Sequence, residues 1–377
     1  MSGGRARRGR GRGRAAGIAA ALAFSLPVVG ATLPAVGGAG GTVTARPVPG
    51  TSEAIRAVAC GSAADCLAVG STPTAFGPEA VVDATTDAGV TWVAAPVKGE
   101  GGLVAVACAD RRHCMAVGGG ATAVVLTTAD GGRRWKAVAA PAGAATVSAV
   151  DCASAADCLV LATGGAGYWS ASTTDGGRVW QRTGTLPVGF GGPTSVNCAG
   201  ATCMSAGYQS LTGAKGTGAV ARTADGGRTW SAAAVPAGTG PLHDVACESG
   251  RCLAVGTSSP NLADVTPAPS VVLHSADGGQ TWAGAAAPAG VGDAVGVACA
   301  TALGCATVGT GWTSTDPPAP VGAVATTADG GRTWRPVAGG RLASGLADVA
   351  CPAASACVAG GGDLLARVTL PSAGRGR

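Results

Sequence analysis

The chain of 377 residues is poor in aromatic and charged side chains, and each shortage narrows the possible architecture and function. Aromatic residues make up 3% and charged residues 12%, whereas hydrophobic residues reach 47% and 65 residues are glycine. Such a composition, rich in small residues, favours a β architecture of short strands and tight turns. The few large side chains must then be placed by some regular feature of the sequence.

The chain also lacks excess charge once its N-terminus is set aside. Its formal charge of +5 depends on six arginines near the start, and removing them leaves about −1. The sequence therefore does not support a basic surface for nucleic acid. These arginines are Arg5, Arg7, Arg8, Arg10, Arg12 and Arg14.

The arginines are followed by an apolar run, residues 15–29. A basic segment followed by an apolar run is typical of a secretion signal. Cleavage after Ala31 would leave a linker over residues 32–42. Arg7 and Arg8 also raise the twin-arginine route, although the expected apolar residues do not follow the pair. An uncleaved membrane anchor and a basic nucleic-acid arm are the remaining interpretations. We expect a secreted or extracytoplasmic protein that touches a membrane only if the signal is retained.

One short motif recurs six times and organises the rest of the chain. It reads hydroxyl residue, any residue, Asp, any residue, Gly, two residues and Trp, as in residues 327–334. The Asp can accept backbone N–H groups in a tight turn, the Gly can supply positive φ, and the Trp can wedge between neighbouring units. The six Asp and six Trp are Asp87, Asp130, Asp175, Asp225, Asp277, Asp329, Trp92, Trp135, Trp180, Trp230, Trp282 and Trp334.

These motifs resemble Asp-boxes, or BNR repeats, of sialidase-like propellers, sortilin-type receptors, xyloglucanase-type glycosidases and photosystem assembly factors. The resemblance implies an all-β propeller in which the box is a structural turn away from the ligand face. It says little about activity, because those families differ in function.

Fourteen cysteines form seven close pairs, one at the same place in each repeat. Two Cys that flank a turn of four or five residues can face each other across a β-hairpin, which predicts seven local disulfides. Zinc ligation is the competing interpretation, but the pairs lack a second pair or a His at ligand spacing. We expect no metal and no cofactor. The pairs are Cys60/Cys66, Cys108/Cys114, Cys152/Cys158, Cys198/Cys203, Cys247/Cys252, Cys299/Cys305 and Cys351/Cys357.

The spacing of the pairs, 44 to 52 residues, fits a four-stranded propeller blade whose second strand starts at the second Cys. The last unit stops without a box, and its missing fourth strand is found at the N-terminus. Pro49 lies 11 positions before Cys60, and Pro141 lies at the same distance before Cys152. The sequence therefore predicts a seven-bladed propeller over residues 43–370, closed by the N-terminal strand and followed by a disordered tail over 371–377.

The predicted topology sorts the loops onto two faces. One carries all disulfides and Asp-boxes. The opposite face, here called the variable face, carries the loops between second and third strands and between blades, where function is expected. The longest of these loops are residues 207–218, 256–269 and 309–320.

Catalytic constellations are weak. A sialidase of this resemblance needs an early Arg-Ile-Pro signature and a Tyr nucleophile, but Arg-Ile-Pro is absent and only two Tyr occur. No spacing pairs two carboxylates for glycoside hydrolysis. His113 and His274 fall on the structural face, and His243 alone does not make a base. Each box has one Asp, too few for calcium.

Binding is therefore the preferred function: an exported, non-enzymatic and monomeric scaffold for a protein or a cell-surface glycan. A glycoside hydrolase acting on the variable face is the alternative. Aromatics outside the boxes mark candidate contacts, although they could also pad loops or plug the channel mouth. The candidate ligand-binding residues are Phe76, Tyr168, Trp169, Tyr208, Trp312 and Asp316.

Overall fold

The computed structural model describes residues 41–48, 54–97, 101–165, 167–209, 216–258, 268–314 and 319–370. These residues form seven antiparallel sheets of four strands each. The predicted signal segment 1–31, most of the linker and the tail 371–377 lie outside the described residues. Within the described ranges no helix is long and apolar enough to cross a membrane.

Each sheet is one blade, and its strands run outward from the centre of the ring. The innermost strands are β2 (Ala54–Cys60), β6 (Gly102–Cys108), β10 (Thr146–Cys152), β14 (Phe190–Ala199), β18 (Leu242–Glu248), β22 (Asp293–Cys299) and β26 (Asp348–Ala353). The second strands are β3 (Cys66–Thr74), β7 (Cys114–Gly119), β11 (Cys158–Thr163), β15 (Thr202–Gln209), β19 (Arg251–Thr257), β23 (Cys305–Trp312) and β27 (Ala356–Gly361).

The third strands are β4 (Gly77–Thr85), β8 (Ala123–Thr128), β12 (Tyr168–Thr173), β16 (Thr217–Thr223), β20 (Ser270–Ser275), β24 (Pro320–Thr327) and β28 (Leu364–Thr369). The outer strands are short: β5 (Val93–Ala94), β9 (Lys136–Ala137), β13 (Gln181–Thr185), β17 (Ser231–Ala233), β21 (Ala283–Gly284), β25 (Arg335–Pro336) and β1 (Val43–Pro47). Short outer strands leave little unpaired backbone at the rim, which limits edge-to-edge association.

The ring is closed by the N-terminal strand, as predicted. β1 pairs antiparallel with β28, from Val43 opposite Val368 to Pro47 opposite Leu364. It completes blade 7, whose other strands are the last three of the chain. Each innermost strand packs against the innermost strands of the two adjacent blades, and β26 packs against β2. The all-β, seven-bladed fold with four-stranded blades is therefore confirmed.

The Asp-box turns are built as the sequence predicts. In the last copy, the Asp329 carboxylate accepts the Thr333 N–H at 2.9 Å and the Thr333 hydroxyl at 2.6 Å. The Thr327 hydroxyl donates to Asp329 at 2.8 Å and accepts the Gly331 N–H at 3.0 Å. Gly331 has φ +85°, and a Cβ there would lie 2.4 Å from a methyl carbon of Leu253. The first hydroxyl residue, the Asp and the Gly thus fix one closed turn.

The core is divided into seven small clusters, one at each junction between adjacent blades. The box Trp of each blade packs into the cluster shared with the preceding blade. Trp180 of blade 3, for example, packs with residues of blade 2, and Trp92 of blade 1 packs with residues of blade 7. Burial of these rings therefore joins each blade to its neighbour.

All seven predicted disulfides are present, and each joins the innermost strand of a blade to its second strand. In blade 1 Cys60 lies directly opposite Cys66, at the end of the paired strands. The bridges and the Asp-boxes share one end of the blades, which we call the disulfide face. The opposite end is the variable face.

The position of the second Cys in blades 4 and 5 corrects the predicted strand boundary. Cys203 and Cys252 end the two shorter disulfide loops, in which the paired Cys are five residues apart instead of six. β15 begins at Thr202 and β19 at Arg251, so each strand starts one residue before its Cys, as β27 does before Cys357. In blades 4 and 5 the strand pairing continues for one position beyond the bridge. A shorter loop leaves only two residues to turn the chain, so the adjacent positions join the ladder.

The second Cys of every pair is buried, with an exposed fraction between 0% and 7%. Each pairs with the last residue of a neighbouring third strand or lies beside it, where the sheet covers the sulfur. These cysteines therefore have a structural role. They are Cys66, Cys114, Cys158, Cys203, Cys252, Cys305 and Cys357.

Candidate functional site

Phe76 is the most prominent of the predicted contact residues on the variable face. It lies at the tip of the β3–β4 hairpin, whose strands have nine residues each. The Phe76 side chain is 98% exposed. The Thr74 hydroxyl donates to the Gly77 carbonyl at 2.6 Å and accepts the Phe76 N–H at 3.2 Å. These hydrogen bonds brace a turn that holds an aromatic ring in solvent.

The other predicted aromatics differ in exposure. Tyr168, Tyr208 and Trp312 are half-buried near the variable ends of their strands. Trp169 is only 1% exposed, so the prediction that it forms a surface contact is wrong. It packs in the cluster between blades 2 and 3, and the Arg182 guanidinium lies 4.5 Å from its ring centre. Burial leaves Trp169 no surface for a ligand.

Asp316 lies outside the described residues, as do parts of the three long loops, namely 210–215, 259–267 and 315–318. The binding role of Phe76, Tyr168, Tyr208, Trp312 and Asp316 stays a prediction. Phe76, Tyr168, Tyr208 and Trp312 do not line any of the cavities described below.

The central channel contains the carboxylates that sequence reasoning missed. A cavity of about 160 Å³ is lined by residues of the innermost strands, including Arg56, His243, Asp244 and Asp348. A β-bulge precedes the shared lining position in five of these strands, for example between Leu242 and Asp244. The bulges redirect side chains towards the channel. Asp244 and Asp348 occupy positions where most other blades have Ala or Gly.

Both carboxylates link blades. Asp348 of blade 7 accepts the Val58 N–H of blade 1 at 2.9 Å and the N–H of its own neighbour, Val349, at 2.7 Å. Asp244 of blade 5 accepts the Val297 N–H of blade 6 at 2.8 Å. A carboxylate thus supplements the strand pairing where the ring closes.

A second kind of link lies nearer the disulfide face. Asp151 of blade 3 accepts the Cys198 N–H of blade 4 at 2.6 Å, and Asn197 of blade 4 accepts the Cys247 N–H of blade 5 at 2.9 Å. Both acceptors directly precede the first Cys of a pair. These contacts satisfy backbone groups that no neighbouring strand reaches.

Burial dominates the ionisation of the channel pair. Burial, with the nearby Asp244 charge acting in the same direction, raises the pKa of Asp348 to about 8. Burial also raises the pKa of Asp244 to about 6, against hydrogen bonds from Val297 and Val245 that favour its charged form. The two groups face one lumen, so at neutral pH the pair keeps a proton. By contrast, the Thr229 hydroxyl and N–H hold the pKa of Asp225 in its box well below the usual range.

We expect the stability of the ring to fall as pH rises between about 4 and 8. The unfolded chain loses the Asp348 proton near pH 4, whereas the folded protein keeps it to about pH 8. Over that interval the unfolded state binds fewer protons than the folded state. The free energy of unfolding therefore falls by up to about 1.4 kcal/mol per pH unit for each proton that the folded state retains. Thermal midpoints measured from pH 5 to 9 check this prediction. Arg56 and His243 are the other ionisable residues that line the cavity.

Asp244→Asn should flatten this dependence, because it removes the charge that raises the pKa of Asp348. Asp157→Asn, on the exposed disulfide face, is the matched control and should leave the slope unchanged, because its carboxylate accepts from the Ser154 hydroxyl. A midpoint that stays constant or rises from pH 5 to 8 would contradict the shared proton.

Further cavities lie on the disulfide face, in the clefts between blades. One of about 630 Å³ separates blades 2 and 3, and smaller ones follow between blades 3 and 4 and between blades 4 and 5. Within the described part of the chain, no group of three His, Cys, Asp or Glu side chains could hold a metal ion.

Together, the boxes, the hairpin disulfides and the closed ring define an Asp-box, or BNR-repeat, seven-bladed β-propeller. The model of the family "Photosynthesis system II assembly factor YCF48" matches residues 82–260, slightly less than half of the chain. A search of the curated proteins finds no match.

Solved propellers of two kinds share this fold. YCF48 bound to a D1 peptide superposes with a TM-score of 0.62 at 16% identity, covering 87% of this chain and 96% of that one. YCF48 from Cyanidioschyzon merolae gives 0.59 at 14% identity, covering 88% and 99%. The GH74 xyloglucanase from Xanthomonas campestris gives 0.58 at 16% identity, covering 86% of this chain but 53% of its own. The chain therefore spans about half of that enzyme.

Proposed function

We propose that this chain is a non-enzymatic recognition module that binds a partner protein on its variable face. The observation that carries the proposal is the β3–β4 hairpin, which holds the Phe76 ring 98% exposed at its tip. A fixed aromatic anchor loses little conformational entropy on binding and offers a large apolar area. The hydrogen bonds of the hairpin turn hold Phe76 in a defined position, which suits a recognition site better than a flexible linker would.

The arrangement of the carboxylates supports a binder over a hydrolase. Inverting and retaining glycosidases need two carboxyl groups that flank a sugar in an open cleft. In the described residues, Asp244 and Asp348 are the carboxylates that line the channel cavity, whose volume is about 160 Å³. Both also accept backbone N–H groups that join blades. They act as links between blades, in a space too small for a glycan chain.

The comparisons agree with a protein partner. A YCF48 propeller of the same fold has been solved with a D1 peptide bound. At 16% identity the likeness concerns the fold alone, so the partner of this chain is a matter for experiment. A cell-surface glycan is the second candidate, because a GH74 xyloglucanase shares the fold.

We further propose that the protein works as a monomer outside the cytoplasm. Seven disulfides and no free Cys among the described residues suit an oxidising compartment. The predicted signal segment, residues 1–31, points the same way.

A photo-crosslinking amino acid placed at position 76 tests the proposal in the producing cells. We expect irradiation to give a discrete covalent adduct with one protein. The matched control places the same amino acid at Val93, which is 68% exposed at the outer edge of the same blade, and should give none. Equal labelling at both positions would argue against a site at the hairpin tip.

A parallel screen of the oxidised protein against a glycan array and glycosidase substrates separates the remaining functions. Binding that Trp312→Ala weakens would favour a glycan on the same face. Substrate turnover that is lost in Asp316→Ala would show that the protein is a hydrolase and would contradict the proposed binding function.

A further inference from the structure

Blade 2 departs from the repeat in both of its turns on the disulfide face. Between its two cysteines it reads Ala-Asp-Arg-Arg-His, where blades 1 and 3 read Gly-Ser-Ala-Ala-Asp and Ala-Ser-Ala-Ala-Asp. Its Asp-box continues Gly-Gly-Arg-Arg-Trp-Lys, where blade 4 has Gly-Gly-Arg-Thr-Trp-Ser. Two separate segments thus place exposed cations on one blade: Arg111, Arg112, Arg133, Arg134 and Lys136.

Arg134 replaces a residue that the turn uses. Four boxes have Thr at this position, and its hydroxyl donates to the box Asp at 2.5 to 2.6 Å. Arg134 keeps the N–H bond to Asp130 at 2.9 Å but cannot supply the hydroxyl. Val179 is the corresponding residue of blade 3, so both boxes beside the 630 Å³ groove lack this contact. The arginine is not explained by the stability of the turn.

The groove between blades 2 and 3 combines a basic rim with an apolar floor. Arg134, Lys136 and Arg178 line its rim. Trp135 and Val138 are among the residues that line its floor. The rim also includes the carboxylates of Asp130 and Asp175, so three cations against two carboxylates leave the groove positive by one charge. The exposed Arg133 directly precedes Arg134 and adds a further positive charge there.

We propose that this groove binds an acidic segment of a partner protein in which apolar and acidic side chains alternate. Carboxylates of the segment would meet the guanidinium and ammonium groups of the rim, and its apolar side chains would cover Trp135 and Val138. A cavity of about 630 Å³ accommodates a few residues of extended peptide. The surface is on the opposite face from Phe76 and does not depend on the function proposed there.

A uniformly charged polymer fits the groove less well than a peptide. Asp130 and Asp175 line the cavity, and each would repel a phosphate backbone that follows it. The apolar floor also has no role for a polyanion, whereas it matches the side chains between two acidic residues. Nucleic acid is therefore an outcome of the test and not part of the proposal.

Fluorescence anisotropy with the full, oxidised chain tests the site directly. The probe is a labelled ten-residue peptide that alternates Glu with Val and Leu. Polyglutamate of the same length, a Lys-for-Glu version and single-stranded DNA are the comparison probes. We expect saturable binding of the alternating peptide, weakened by salt, and at least about threefold weaker binding of each comparison probe.

Charge reversal then locates the site. Arg134→Glu with Lys136→Glu should weaken binding by about tenfold or more, since each residue offers a charge-assisted hydrogen bond. Arg332→Glu with Arg335→Glu makes the same change of charge in the box of blade 6 and should leave the affinity within about twofold.

Arg134→Thr separates binding from folding. It restores the residue of the other boxes, so the thermal midpoint should hold or rise while peptide affinity falls. The proposal is overturned by absence of peptide binding, by stronger binding of DNA or polyglutamate, by equal losses in the blade 2 and blade 6 variants, or by unchanged affinity in Arg134→Thr.

Discussion

Removal of residues 41–48 should open the ring and cost on the order of several kcal/mol of folding free energy. The deleted segment carries β1, which pairs with β28 over five residues. It also carries Val48, which is 5% exposed and donates its N–H to the Asp363 carbonyl at 2.8 Å. Without β1, the β28 edge is unpaired and available to other chains. Comparing chains that start at residues 41 and 49 by calorimetry and size exclusion measures both effects.

Addition of a synthetic peptide of residues 41–48 should rescue the truncated chain, because the strand can pair in trans. Deletion of residues 371–377 is the matched truncation at the other terminus and should leave the midpoint unchanged. If the chain that starts at residue 49 remains monomeric with an unaltered midpoint, closure by β1 does not stabilise the ring.

Reduction of the seven disulfides should lower the thermal midpoint more than any single substitution described above. The chain-entropy model gives about 2 kcal/mol for a loop of this size, as an upper figure that does not simply add. The second Cys of each pair is buried at its strand end, so the separated thiols also lose their packing partner. Scanning calorimetry of oxidised and reduced, alkylated protein gives the difference.

Single-blade variants show whether the effect is distributed. Replacing Cys152 and Cys158 by Ala opens one bridge in blade 3, and replacing Cys351 and Cys357 opens the bridge of the closing blade. Each pair should lower the midpoint, with the full reduction exceeding both. Equal midpoints for oxidised and reduced protein would show that the bridges contribute nothing to stability.

The fold was predictable because the sequence repeats its register markers. Each Cys pair fixes where the first two strands meet to within one residue, the difference seen at Cys203 and Cys252, and each box fixes where the third strand turns. Even closure by β1 could be predicted, since Pro49 keeps the spacing of the other prolines to the next Cys. A side chain that recurs at the same place in every repeat indicates the same backbone geometry in every blade.

The interior of the channel could not be predicted in this way. Asp244 and Asp348 stand where most blades have Ala or Gly, and a lone Asp in a polar loop or a buried strand looks the same in sequence. Trp169 illustrates a second limit. Tyr168 and Trp169 are adjacent, so they point to opposite sides of a strand, but both sides of a propeller blade are covered by neighbours. Alternation alone therefore does not identify an exposed residue.

The net charge of the chain was a third feature that did not reveal the structure. A net charge near zero without the N-terminal arginines excludes a broadly basic surface, yet it does not exclude a local one. The cations of blade 2 are visible in the sequence, but their convergence on one groove depends on the packing of blade 2 against blade 3.

The local disulfides also determine the order in which the protein can assemble. Each bridge joins residues five or six apart, so a blade can oxidise once its first hairpin has emerged. Random long-range pairings are then outcompeted, because short loops close fastest. Ring closure is the opposite case: Thr42 and Thr369 are 327 residues apart, and they meet only when the last blade exists. Folding should therefore proceed through an oxidised but open array, and its final step joins the two ends of the chain.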